Sequence, residues 1–115
     1  PQTVHACHCR ECQKRSGSAF GLTMVVNRKN FTITGKVSTY VRAADSGQTN
    51  TSYFCPNCGN PIYGEVERLP DIVAIRPGTL DDTSWFKPER HQWTDSAQSW
   101  FEFPEGCEVL PKSRW

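Results

Sequence analysis

Cys7-His8-Cys9-Arg10-Glu11-Cys12 places three thiols within six residues, and the rest of the chain reads as a scaffold around them. Cys7 and Cys9 cannot bridge each other without severe strain, because a disulfide needs Cα atoms about 5–6 Å apart in a specific geometry. Two thiols separated by one residue, with a third two residues on, can instead converge on a tetrahedral metal through a tight turn. Zinc suits them: thiolates are soft ligands, and zinc accepts an all-sulfur tetrahedral set. The plain alternative is three reduced structural cysteines, a commonly buried residue type.

A second motif stands at Cys55-Pro56-Asn57-Cys58-Gly59-Asn60-Pro61. Two cysteines with two residues between them let backbone N–H groups point at the sulfurs, and the following glycine permits a left-handed turn. This is a zinc-knuckle pattern. A thioredoxin-like redox pair is the competitor, but that motif opens a helix in a βαβ unit. Here Pro61 and the strand-like Ile62-Tyr63-Gly64-Glu65-Val66 follow instead.

The 115 residues fit one small domain, spanning 1–115, whose modest core would gain from metal staples. Lysine and arginine number 13 against 12 acidic residues, a formal charge of +1, and no basic run is present. That is no footprint for nucleic acid. No apolar run is long enough to span a membrane, and no signal peptide is visible, so no membrane partner is expected. Five of the six cysteines fall in the two motifs, which favours metal in a reducing compartment over disulfides. A cytoplasmic location is therefore expected. The chain starts at Pro1 and not at Met, which suggests processing or a lost upstream stretch.

Along the chain, residues 1–6 read as a strand end or loop. Arg10 to Lys14 allows one short helical turn, ended by Ser16-Gly17-Ser18. Ala19 to Val26 is an apolar, β-favouring run, and Asn27 to Asn30 a polar turn. Phe31-Thr32-Ile33-Thr34 alternates up to Gly35, and Val37 to Val41 alternates again. Asp45-Ser46-Gly47 is turn chemistry, before a strand from Thr49 to Phe54. Asp71 to Arg76 is a further strand closed by Pro77-Gly78, and Leu80 to Ser84 a loop or single turn. The tail from Pro104 to Trp115 has little periodicity. Short strands between turn signals predict an all-β domain of twisted antiparallel β-sheets, one wrapped on another, around the cysteine motifs.

With both motifs placed, the chain resembles the glutathione-dependent formaldehyde-activating enzyme family, which includes centromere protein V and has the Mss4-like fold. The matching residues are Cys7 to Cys12 with Arg15-Ser16-Gly17-Ser18-Ala19-Phe20, then Phe54 to Tyr63 around the knuckle. Arg76-Pro77-Gly78-Thr79-Leu80 and the landmarks Pro88, His91 and Trp100 complete the set. The resemblance implies two zinc sites. Cys7, Cys9 and Cys12 would hold an open, catalytic zinc. Cys55 and Cys58 would be half of a closed structural site, completed by an upstream C-x-C pair that this sequence does not contain. The missing pair is expected on a lost first strand; otherwise Cys55 and Cys58 would be metal-free or share the zinc of the three clustered thiols.

The resemblance also implies the reaction, reversible addition of glutathione sulfur to formaldehyde to give S-(hydroxymethyl)glutathione, formally that of a carbon–sulfur lyase. Its partners would be a small thiol, glutathione or similar, and formaldehyde or a related aldehyde. Three thiolates leave one zinc position open, the usual catalytic arrangement. Three thiolates on Zn²⁺ carry net charge −1, which Arg10, Lys14 or Arg15 could offset while holding substrate carboxylates. The alternative is a non-enzymatic zinc-binding protein-interaction module of the same fold, and a third reading is metal buffering or redox sensing by the three thiols.

The remaining candidates take plainer readings. His8 is expected to point away from the metal, at the surface or behind the ligands, if both neighbours point in. His5 reads as a solvent or packing residue near enough to serve as a fourth ligand, and His91 as structural. Cys107 reads as a free thiol. Trp85, Trp93 and Trp100 are expected in the core or lining a pocket.

Overall fold

The computed structural model describes residues 3–43 and 47–112. Eight strands form one sheet: β1 (Thr3–Cys7), β2 (Gly21–Asn27), β3 (Ser38–Ala43), β4 (Thr49–Phe54), β5 (Pro61–Val66), β6 (Ile72–Ile75), β7 (Arg90–Gln92) and β8 (Glu108–Val109). Their order across the sheet is β3-β4-β5-β6-β2-β1-β7-β8. The all-β expectation holds. The described strands lie in a single sheet, however, and it is mixed: β7 runs parallel to both β1 and β8.

One expected strand is absent and one unexpected strand is present. Phe31 to Thr34 alternates like a strand but forms none, because a strand exists only through a partner. Phe31 alone is anchored there, its ring 4.8 Å from that of Tyr63, while residues 32–36 are exposed. The aperiodic tail, by contrast, contributes β8 at the sheet edge. Of the turn expected at Asp45-Ser46-Gly47, Asp45 and Ser46 lie outside the described residues, as do Pro1, Gln2 and residues 113–115.

β1 is the strand that positions everything else. Paired to β2 on one side and β7 on the other, it is buried from Val4 to Cys7. Val4, Ala6, Met24, Val25 and Val73 make the aliphatic core around it. β-branched residues suit such a two-sided position, which loads both faces of the pleat.

The chain leaves β1 through His8 and enters the α-helix α1 (Arg10–Ser16). Cys9 caps its start: its backbone is extended and its Sγ accepts from Cys12 N–H at 3.4 Å. Gly17 ends it in the left-handed region at φ 63°, donating to the Gln13 carbonyl. A residue with a Cβ would be strained there, so glycine stops the helix where the sequence says it should. α1 then lies across the start of β2 at Gly21, where a Cβ would already touch Cys12 Cβ at 3.4 Å.

Candidate metal centre

The three thiols converge. Cys7 comes from the last position of β1, Cys9 from the helix cap and Cys12 from the first turn of α1, and their sulfurs all lie within 4.8 Å of one another. In a tetrahedral zinc site with Zn–S near 2.3 Å, sulfurs stand about 3.8 Å apart, so closure needs a movement of about 1 Å or less. The donor chemistry fits as well. Cys9 is pulled far below an ordinary thiol by hydrogen bonds from Cys12 and Cys7. Cys7 is pushed far up by its hydrogen bonds to Cys12 and Cys9 and by burial. The three thiols are thus hydrogen-bonded to one another through their protons, and a divalent cation would take the place of those protons.

The cations around this cluster differ from expectation. Arg15 Nη2 donates to Cys12 Sγ at 3.7 Å, and Arg15 Nη1 to Ser52 Oγ at 3.1 Å. Arg10 and Lys14 do not reach the cluster. Arg10 donates to Gln13 Oε1 at 2.6 Å, and both line a shallow surface hollow with Gln98 and Trp100. Helical spacing is the reason: residues three and four apart share a face, so Arg15 and Ser16 follow Cys12 while Arg10 goes with Gln13 and Lys14.

A cavity of about 330 Å³ opens beside Cys12. α1 contributes Cys12, Arg15 and Ser16 to its wall, and Tyr40, Phe54 and Arg76 stand among the residues facing them from the sheet. Gly59 and Pro61 of the knuckle also reach it, so the two cysteine motifs flank one pocket. Arg76 Nη1 donates to the Leu22 carbonyl at 3.3 Å and to Thr23 Oγ1 at 3.4 Å. Desolvation, followed by the nearby Arg15, lowers its pKa. Sequence reading gave Arg76 no role, although a charge closing an apolar strand was a signal.

The knuckle has the expected local form. Gly59 is left-handed at φ 78° and donates to the Cys55 carbonyl at 2.8 Å, and hydrogen bonds from Cys58 and Asn57 N–H lower the Cys55 pKa. Among the described residues, Cys55 and Cys58 lie outside the three-thiol cluster, and Cys58 is exposed.

Behind the cluster lies a second core of rings. His8 is fully buried, not at the surface, and points away from the thiols: its Nε2 meets His91 Nδ1 at 2.9 Å. Phe20, Phe101 and Phe103 surround the pair. His91 is structural, as expected. His5 is a buried packing residue, hydrogen-bonded through Nδ1 to Arg90 Nη2 at 3.3 Å. Gln13 was missed by sequence reading. Buried on α1 beside Cys12, it donates to the His8 carbonyl at 2.8 Å and the Ser96 carbonyl at 3.0 Å. Nothing in a polar residue on a short helix signals that.

The tryptophan expectation needs correcting for Trp85, which is exposed at 52%, while Trp100, 68% exposed, stays out of the core but lines the shallow hollow beside Arg10 and Lys14. Around Trp100 the alternation decides it, since Phe101 and Phe103 take the inward positions. Trp93 is partly buried under Lys112, whose Nζ lies 5.2 Å from its ring, and its backbone is left-handed at φ 58°. Cys107 is partly buried and donates to the Pro104 carbonyl at 3.0 Å.

A model of the family described as "Glutathione-dependent formaldehyde-activating enzyme" matches residues 1–96. Relatives from Penicillium rubens and Aspergillus terreus, provisionally named glutathione-dependent formaldehyde-activating enzymes, are each 30% identical over 88 residues. One from Colletotrichum graminicola, named likewise, is 25% identical over the same length. Each match covers 74% of this chain and 46% of the relative, so the chain spans about half the length of the curated relatives it matches. No helix among the described residues is long and apolar enough to cross a membrane. On the family match, the clustered thiols and the knuckle together, the chain belongs to the glutathione-dependent formaldehyde-activating enzyme family.

Proposed function

We propose that this protein is a zinc-dependent carbon–sulfur lyase of the S-(hydroxymethyl)glutathione synthase type, joining a small thiol such as glutathione to formaldehyde or a related aldehyde. The observation that carries the reading is the convergence of Cys7, Cys9 and Cys12 beside a cavity of substrate size. When bound, zinc would supply an open position for a thiolate nucleophile or Lewis-acid polarisation of a carbonyl.

The chain's own residues would do the rest. Cys7, Cys9 and Cys12 hold the metal on rigid supports, a strand end and a helix turn. Arg15, against Cys12 Sγ, offsets the excess negative charge of three thiolates. The walls hold thiol and aldehyde together, so that sulfur adds to the carbonyl carbon and the thiol proton ends on the carbonyl oxygen. Cys55 and Cys58, which lie outside the three-thiol cluster among the described residues, would serve as half of a structural site.

The test is the rate of adduct formation between glutathione and formaldehyde, followed by NMR exchange, on zinc-replete protein. The reading requires acceleration that disappears in Cys9→Ala. A rate equal to the uncatalysed one would refute it.

A further inference from the structure

The pocket beside Cys12 holds more positive charge than the reaction above requires. Arg15 and Arg76 both line it, and its lining contains no carboxylate among the described residues. Arg42 stands two residues from the pocket residue Tyr40, on the same side of β3. Its charge is close enough to bear on Arg76. The two ion pairs among the described residues, Arg28–Glu65 and Lys112–Asp95, involve none of the three. Arg15 and Arg42 each bury an Nε with no hydrogen-bond partner among the described residues. Guanidinium groups gathered in a partly dry cleft repel one another and bear a desolvation cost, unless an anion joins them. One thiolate-rich centre of charge −1 does not balance the two lining guanidinium groups with Arg42 close by.

The position of the charge is informative too. Arg15 Nη2 lies 3.7 Å from Cys12 Sγ, so a carboxylate oxygen paired with it falls within about 7 Å of that sulfur. That short reach suits a compact substrate whose acid group stands two or three bonds from the atom reacting at the thiol cluster. Formaldehyde carries no such group, and in glutathione both carboxylates lie further along the peptide from the sulfur.

We propose that Arg15 and Arg76 are specificity-determining residues that select a compact substrate carrying its own carboxylate two or three bonds from the reacting atom. The class is a short 2-oxo-acid aldehyde or a short mercapto acid, which share that chemistry. Arg76 is suited to the planar, two-point recognition, since only its Nη1 is engaged by the protein among the described residues. The proposal rests on the thiol–aldehyde reading for what happens to the substrate, but not for its binding.

The experiment is calorimetric titration of the zinc-loaded protein with four probes at low ionic strength. Mercaptoacetate is compared with neutral 2-mercaptoethanol, and glyoxylate with neutral glycolaldehyde. At least one acid should bind about tenfold or more tightly than its neutral counterpart. A preference confined to mercaptoacetate puts the carboxylate on the thiol substrate, and one confined to glyoxylate puts it on the aldehyde; either upholds the assignment. In Arg15→Gln the preference should fall to within about twofold. Because Arg76 also holds β2, Arg76→Lys is the second variant: it keeps the charge but loses the fork, and the preference should drop severalfold. Equal binding of acid and neutral probes, or a preference untouched in both variants, overturns the proposal. Acid-selective binding without any accelerated adduct formation would instead sink the lyase reading and leave this one standing. Catalysis on glutathione and formaldehyde with no acid preference would do the reverse.

Discussion

The His8–His91 pair offers the sharpest test of how the second core supports the thiol cluster. His8 is 0% exposed and, among the described residues, its Nε2 has one partner, His91 Nδ1 at 2.9 Å, while its own Nδ1 has none. Replacing His91 by leucine keeps roughly the volume but leaves His8 with no hydrogen bond on either nitrogen. An orphaned buried polar group costs about 1–3 kcal/mol, and the lost ring contacts with Phe101 and Phe103 add about 1 kcal/mol. For a domain of this size that is a fall in melting temperature of about 8–16 °C. Thermal unfolding by circular dichroism at fixed zinc and pH 7.5 reads it directly. The control is the cycle completed by His8→Leu and the double variant, which leaves neither histidine orphaned. The double should cost less than the sum of the singles by about 1–3 kcal/mol. Additive losses would mean that the two rings merely fill space and that the hydrogen bond contributes nothing net.

Further outcomes follow from other parts of the molecule. Cys9→Ala should lose the metal of the three-thiol cluster, read as zinc per chain on protein purified without added metal; unchanged content would remove the cluster from metal binding. Gln13→Leu strips the donor from the His8 and Ser96 carbonyls, so it should lower stability by about 2 kcal/mol and weaken zinc retention against a chelator. Gly17→Ala forces a side chain into φ 63° and should cost about 1–2 kcal/mol, with no effect on metal content. Tyr53 donates to Glu65, and that hydrogen bond, with burial, pushes its phenol up to about 12. The folded value lies above the unfolded one of about 10, so the neutral phenol stabilises the fold below pH 10. That contribution is lost as pH rises from 10 through 12, and Tyr53→Phe should flatten this alkaline limb of the stability curve.

The legible part of the molecule was the part encoded locally. The limits of β4 follow from the run between a turn and Cys55, and the stop of α1 from Gly17, because both are decided by residues adjacent in sequence. The convergence of Cys7, Cys9 and Cys12 was legible for the same reason. What was not legible depends on distant partners. Phe31 to Thr34 has the alternation of a strand and no neighbour to pair with. Residues 108–109 have no pattern and become a strand because β7 offers an edge. His8 was placed as pointing away from the thiols, which is right, yet its burial depends on rings from residues 91–103. Arg15 could be separated from Arg10 only once the helix was long enough to have faces.

The parallel pairing of β1 with β7 has a consequence for how the protein comes to exist. His5 lies opposite Arg90, and His8 N–H bonds to the Gln92 carbonyl, so the wall behind the cysteine cluster is built from the far end of the chain. Contacts of such sequence separation are slow to form, since the loop entropy must be met before they contribute anything. On a ribosome adding about 5–20 residues per second, Cys7, Cys9 and Cys12 are therefore made seconds before the strand that will cover their flank. For that interval the three thiols are an open chelating peptide, and the order of events in the cell is cysteines first, enclosure last.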